Sequence, residues 1–309
     1  MKKFIKQFLV FIIPLFIIGI ASEIFLRKIP NDYKFKKEFL DRNAESLRIM
    51  VLGSSYAFYG INPAYLSSPN SFNSSHISQP LKFDYEILKK YGNRLNRLEY
   101  IILPVSYISI YGNIEKGDDA WRVKNYIIYY GLPVSAKFKY YSEVLSNKLM
   151  INLERLYLYY IRGNSNITCS GSGWGLYFDS KNKKDLIITG KTAANRHAVK
   201  TDKYFNENVI SLRSILDFAK DKNIKVLLLT APAYKTYVGN LNQVKLNKAI
   251  AELVNLDKEY NNVTYINMLQ DASFKEMDFY DADHLNELGA KKLTVRIDSF
   301  ISKNKSGNR

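Results

Sequence analysis

Two short segments of the 309-residue chain carry side chains that could do chemistry together. Near the C-terminus, Phe279-Tyr280-Asp281-Ala282-Asp283-His284-Leu285-Asn286 sets a carboxylate three residues before an imidazole. Far upstream, the apolar run Ile49-Met50-Val51-Leu52 stops at Gly53-Ser54-Ser55. A hydroxyl displayed at a strand end, with an Asp-x-x-His pair to receive its proton, meets the needs of serine acyl chemistry. Asp281 is the expected partner of the His284 Nδ1–H, and Asp283 is the competing carboxylate. Each piece also has a plain reading. Serines are common in turns, and Asp281, Asp283 and Asn286 can serve as turn and capping residues. One mechanism requires both pieces, which favours the chemical reading.

Such residues need elements to hold them. Leu47 to Leu52 reads as a buried strand ended by Gly53, which permits a tight turn. Glu99 to Val105, Ile224 to Thr230 and Val263 to Ile266 read as three more strands. All four are short and apolar without clean alternation, as expected for parallel strands covered on both faces. Helical patterns fill the intervals over Asp84 to Tyr91, Asn206 to Lys220 and Asn242 to Tyr260. Asn286 can cap a last helix whose apolar positions include Leu293, Ile297 and Ile301. Alternating strands and helices predict a doubly wound, three-layer α/β/α fold with a mainly parallel sheet. Sites in such sheets lie beyond the C-terminal strand ends, where Ser54 and Ser55 fall.

The stretch from about 111 to 200 exceeds a minimal α/β unit and reads as an insertion packed as a cap or lid. Its tyrosines (Tyr126, Tyr129, Tyr130, Tyr140, Tyr141, Tyr157) suit saccharide stacking, membrane-interface contact or ordinary amphipathic packing, the last being favoured. The small-residue loop Cys169 to Gly175 follows. Domain boundaries are expected at 1–28 for an N-terminal anchor, 29–46 for a juxtamembrane linker, 47–302 for the α/β domain and 303–309 for a polar tail.

The anchor rests on Lys2, Lys3 and Lys6 followed by an apolar run from Phe8 to Leu26 interrupted only by Ser22 and Glu23. At ~1.5 Å per residue this run comes just under the ~30 Å hydrocarbon core, enough for one transmembrane helix. Gly19-Ile20-Ala21-Ser22 offers the alternative of a cleaved signal peptide, though the apolar run is longer than a typical signal core. The favoured reading is an uncleaved anchor in a bacterial cytoplasmic membrane with the C-terminal bulk outside the cytoplasm.

A net charge of +16 favours acidic surfaces. The lysines are dispersed and carry no nucleic-acid-binding signature, so nucleic acid is not an expected partner. The single Cys169 excludes an intramolecular disulfide framework and a cysteine metal cluster. His76, His197 and His284 are scattered without ligand spacing, so no metal is expected. His197, beside Arg196 in a polar stretch, reads as a solvated surface residue, with a substrate contact in the insertion as the alternative. No cofactor signature is present.

Taken together, Gly53-Ser54-Ser55 and Asp281-x-x-His284 resemble the first and last blocks of the SGNH/GDSL hydrolase superfamily. Tyr56-Ala57-Phe58-Tyr59-Gly60-Ile61-Asn62-Pro63 and the turn Phe72-Asn73-Ser74-Ser75 bring the likeness closest to a membrane-anchored branch. That branch holds DltD-like and alginate O-acetyltransferase-like proteins of cell-envelope polysaccharide modification. The resemblance implies a flavodoxin-like fold, Ser55 as nucleophile, His284 as base and Asp281 as orienter. Ser54 stands where the family usually has Asp. The family's second block supplies a Gly amide where this chain has Asn73-Ser74-Ser75, and its third supplies an Asn where this chain has Leu103-Pro104-Val105-Ser106-Tyr107. Ser54, Asn73 and Ser75 are therefore the substitute oxyanion or substrate contacts. The implied function is an esterase or O-acyltransferase on an envelope glycan, partnered by a multi-pass membrane-bound O-acyltransferase. The alternative is a non-catalytic glycan-binding or scaffold protein on the same fold.

Overall fold

The structure is a computed structural model and describes residues 1–306, so residues 307–309 of the expected tail lie outside the described residues. Backbone contacts divide the chain into two compact units. The first joins Met1–Glu38 to Gly117–Ile167, and the second joins Phe39–Lys116 to Thr168–Arg309.

In chain order, α1 (Lys2–Lys28) and α2 (Asp32–Asn43) lead to β1 (Ile49–Val51) and α3 (Ser55–Gly60). Next come β2 (Ser71–Asn73), α4 (Leu81–Tyr91), β3 (Tyr100–Pro104) and α5 (Tyr107–Tyr111). The inserted stretch supplies α6 (Val123–Ile128), α7 (Glu143–Ser146), α8 (Leu149–Tyr160) and α9 (Leu186–Arg196). Then follow α10 (Phe205–Asp221), β4 (Lys225–Thr230), α11 (Lys235–Val238), α12 (Gln243–Glu259) and β5 (Val263–Asn267). The short strands β6 (Phe279–Asp281) and β7 (His284–Leu285) precede α13 (Glu287–Ser306).

The second unit is built on a five-stranded sheet in the order β2-β1-β3-β4-β5, every pairing parallel. This is the doubly wound order of flavodoxin-like folds, as the strand–helix alternation predicts. Ile49, Val51, Ile102, Leu227 and Leu229 form one core cluster with Ala57 of α3, Ile61 just after it, and Leu293, Ile297 and Ile301 of α13. The alternate residues Met50, Ile101, Leu103, Val226 and Leu228 are buried as well. Burial on both faces explains why these strands carry no period-two pattern. α4 packs on α10, and α13 packs on α3.

β2 is absent from the sequence expectation because Ser-Phe-Asn offers no apolar run. It forms because β1 accepts it as an edge, with Asn73 opposite Val51. The stretch 29–46 is mostly α2 and a following 3-10 turn, with the break from α1 near Pro30.

In the first unit, α1 is long and apolar enough to cross a membrane or to act as a signal sequence. Its one acid, Glu23, meets the start of α7. The carboxylate accepts from Ser142 Oγ at 2.7 Å and from the Glu143 and Val144 N–H groups at 3.0 Å. Glu143 is itself buried against Lys124 at 2.5 Å and Arg155 at 2.7 Å. Burial alone would raise the Glu143 pKa, but the two cations hold it down to about 2.

Candidate active site

Gly53 has φ +110°, and a Cβ there would lie 3.0 Å from the Pro104 carbonyl oxygen. Only glycine fits both the left-handed backbone and the approach to β3. Its N–H donates to Asp84 Oδ1 at 2.8 Å, and the Gln79 side chain donates to the same oxygen. Full burial raises the Asp84 pKa to about 7 against these hydrogen bonds. Asp84, on α4, thus pins the turn ahead of the serines, a role the sequence does not announce.

Ser55 opens α3 with its side chain partly exposed while its neighbours on both sides are buried. Its Oγ lies 2.8 Å from His284 Nε2. On the other side of the ring, Nδ1 is 3.0 Å from Asp281 Oδ1 and 3.6 Å from Asp283 Oδ1. Asp281 Oδ1 also accepts from the Asp283 N–H at 3.2 Å. With the proton on Nδ1 donated to Asp281, Nε2 is left to accept from the Ser55 hydroxyl. The structure therefore brings Ser55, His284 and Asp281 into one hydrogen-bonded line.

The β6–β7 pair makes this possible. Asp281 pairs with His284 across a tight antiparallel turn, so both side chains leave from one end of it. Asn286 fixes the turn to α13. Its Oδ1 accepts from the Leu288 and Gly289 N–H groups at 3.0 and 3.1 Å, and its amide donates to the Met277 carbonyl at 2.7 Å.

Electrostatics around His284 are unusual. Burial presses its pKa down, but Asp283 and Asp281 outweigh that and lift it to about 9. Asp281 is held below the usual carboxylate range, since His284 overcomes the upward push of burial. Asp283 is raised by burial and by the neighbouring Asp281. Arg196 Nη2 approaches Asp283 Oδ2 at 3.4 Å from the end of α9. Asp283 is only 1% exposed and faces the imidazole rather than turning away. The His284, Asp281 and Asp283 donor atoms lie within 4.8 Å of one another, close enough to surround a metal ion. An ion there would displace the Nδ1–H···Oδ1 hydrogen bond.

Aromatic rings wall the imidazole. Tyr56 stacks on it at 5.2 Å, and Phe178 stands edge-on at 5.2 Å. Phe178 is sandwiched between Tyr59 at 3.6 Å and Tyr280 at 4.0 Å. The Tyr56 hydroxyl donates to Tyr237 Oη at 3.2 Å, which lies 2.9 Å from His197 Nδ1. His197 is therefore not a free surface histidine. Burial, Arg196 and His284 together depress its pKa to about 3, against the pull of Asp281.

The oxyanion candidates divide. Asn73 is fully buried, and its amide nitrogen donates to the Ala57 and Ile61 carbonyls at 2.8 Å each. Both its N–H bonds brace α3, so the expected donor is already committed. Ser75 turns its hydroxyl and its N–H back to Asn73 Oδ1. Ser54 Oγ is buried with no hydrogen-bond partner among the described residues. It sits beside the nucleophile candidate. After β3, Ser106 caps α5 by accepting from the Ser109 N–H at 3.2 Å.

The loop Cys169 to Gly175 closes the far side. Its Ser172 carbonyl accepts from the Asn73 N–H at 2.9 Å, and the Gly175 N–H donates to the Phe58 carbonyl at 2.8 Å. Gly173 has φ +84°, and a Cβ there would sit 2.1 Å from the Asn73 oxygen. Trp174 Nε1 donates to the Tyr59 carbonyl at 2.7 Å. The cluster of small residues was the visible signal. Trp174, Arg196 and His197 stand in stretches the sequence singles out, whereas Phe178 and Tyr237 carry no signal, because only the tertiary fold gathers them.

No family model matches the sequence, and no curated protein matches it. Solved structures similar to the chain include a GDSL-like lipase from Bacteroides thetaiotaomicron, at 10% identity and TM-score 0.43, covering 88% of this chain and 99% of that one. Another, from Bacteroides fragilis and named as an acylhydrolase, matches at 11% identity and TM-score 0.42, covering 86% and 95%.

Proposed function

We propose that the chain is a membrane-anchored serine acyl-ester enzyme, an esterase or O-acyltransferase. Its α/β unit lies outside the cytoplasm and acts on a cell-envelope polysaccharide. The observation that carries the enzymatic part is the hydrogen-bonded line from Ser55 through His284 to Asp281, with distances of 2.8 and 3.0 Å.

In this reading Ser55 Oγ attacks the ester carbonyl as its proton passes to His284 Nε2, while Asp281 holds the ring and stabilises the imidazolium. Collapse of the tetrahedral intermediate expels the alcohol, which takes the proton from Nε2. The acyl-Ser55 ester is then resolved by water in an esterase or by a sugar hydroxyl in a transferase, with His284 again as base. The Ser55 N–H is the donor offered to the oxyanion, and the buried Ser54 hydroxyl would have to rotate outward to join it. A partnership with a multi-pass membrane-bound O-acyltransferase would supply the acyl group.

The test is covalent labelling of the detergent-purified full chain with a fluorophosphonate. Wild type is expected to label at Ser55, and Ser55→Ala or His284→Ala to abolish labelling. Intact wild type that stays unlabelled under conditions that label a known serine esterase would sink the enzymatic reading. The commitment of both Asn73 N–H bonds to α3 favours the second reading, a glycan-binding scaffold, in that event.

A further inference from the structure

In the first unit, α8 is amphipathic the wrong way round for water. It turns Asn152 and Arg155 inward, where Asn152 Nδ2 reaches the Glu143 carbonyl at 3.3 Å and Arg155 reaches the Glu143 carboxylate at 2.7 Å. Leu149, Met150, Ile151, Leu153, Tyr157 and the following Ile161 face outward, Met150 74% and Ile161 71% exposed, with Glu154 the one exposed acid of the helix at their edge. A helix on a water-facing surface shows the opposite pattern, and a contiguous apolar patch marks an interaction surface.

The position of α1 within the same unit says what covers it. Residues 2–18 are exposed along the whole helix, half-burial begins at Gly19, and Leu26 is fully buried. Tyr160 Oη donates to the Phe25 carbonyl at 3.0 Å, fastening the end of α8 to the end of α1. At ~1.5 Å per residue the protruding part is about 26 Å long, close to the ~30 Å hydrocarbon thickness. Tyr160 thus places the end of α8 beside the stretch of α1 where burial begins, next to the end of its exposed, apolar part. Exposed Lys148 and Arg162 bracket the apolar face. The unit holds fifteen Lys and Arg against seven Asp and Glu. Tyr157 and Tyr160 are the residue type that settles at membrane interfaces.

We propose that the outward face of α8 lies in the headgroup–acyl boundary of the bilayer that α1 crosses, and that it favours anionic lipid. This rests on the membrane-anchored reading above. It makes the first unit a second, interfacial membrane contact and not merely an extension of the anchor.

Nitroxide labels on the full chain test it, in a Cys169→Ser background and in nanodiscs of three parts phosphatidylcholine to one part phosphatidylglycerol. Labels follow Met150→Cys, Leu153→Cys and Ile161→Cys, with Phe16→Cys in α1 and Val244→Cys in α12 as references. Collisions with oxygen relative to a water-soluble nickel chelate are expected to be several-fold higher at 150, 153 and 161 than at 244, approaching position 16. Aqueous values at all three with a lipid value at 16 would overturn the interfacial contact and leave the anchor standing. An aqueous value at 16 would overturn both. Low collision rates with both reagents would mean that protein covers α8, a second copy or a partner, and would also overturn the proposal. Pure phosphatidylcholine discs should shift position 150 towards water, and no shift would overturn the anionic preference.

Discussion

At the residue scale, the second carboxylate is what sets this site apart. Asp283 lies 3.6 Å from the imidazole nitrogen that Asp281 already occupies, and burial keeps both charges from being screened by solvent. The two acids lift His284 to about 9, so the neutral base that the proposed mechanism needs accumulates only as pH rises towards that value. Fluorophosphonate labelling is therefore expected to increase with pH well past the usual histidine range. Asp283→Asn should move the midpoint downward, while Arg196→Ala should move it upward, because the guanidinium opposes the carboxylates. A midpoint near 6.5 in wild type, unmoved by either change, would contradict the arrangement. A histidine raised on folding adds stability below pH ~6.5 that is lost as pH climbs through the folded value. Asp281, His284 and Ser55 are legible in the sequence because two of them lie three residues apart and the third ends an apolar run. Asp283 was harder. Adjacent side chains usually diverge, and the tight β6–β7 turn overrides that tendency.

At the element scale, the main strands were legible because a buried parallel strand leaves a dense apolar run in any sequence. β2 and the β6–β7 pair were not, since three polar or aromatic residues become a strand only when a neighbour offers an edge. The glycine loop from Cys169 to Gly175 shows the same dependence. Its composition suggested a loop, but only the packed structure shows that it runs against Asn73 and Phe58. Gly173→Ala should destabilise the α/β unit by roughly 2 kcal/mol or more, combining a strained positive φ with a clash against the Asn73 oxygen. Gly171→Ala, with nothing within 4 Å of its Cβ, should change stability by less than about 0.5 kcal/mol. Thermal denaturation of the two variants in detergent distinguishes them, and equal effects would count against the loop's bracing role.

At the scale of the whole molecule, the inserted stretch is two things. Residues 117–167 join the N-terminal helix in the first unit, while residues from 168 onward belong to the sheet unit and supply Trp174, Phe178, Arg196 and His197 to the site. Sequence pattern could not divide them, because a tyrosine-rich helical stretch looks alike in either setting. The first unit is held by its buried ions, and Glu143→Gln should cost about 3–5 kcal/mol by leaving Lys124 buried without its counter-charge. The Glu143 contribution is present at neutral pH and is lost as pH falls below ~4 through its folded value of about 2. Denaturant titration at pH 7 measures the difference, and a loss below 1 kcal/mol would argue against an ion-held core.

Glu23 carries a consequence in time. Beyond Arg27, four residues on and 2.6 Å away, its hydrogen-bonding partners lie 119 to 121 residues further along the chain. At a synthesis rate of ~5–20 residues per second, the carboxylate waits roughly 6–24 s for them. During that interval only Arg27 and water are there to receive it, which in the membrane-anchored reading keeps the last turns of α1 out of the acyl layer. In that reading the depth at which the anchor finally rests is settled with a segment that does not yet exist when the anchor is made.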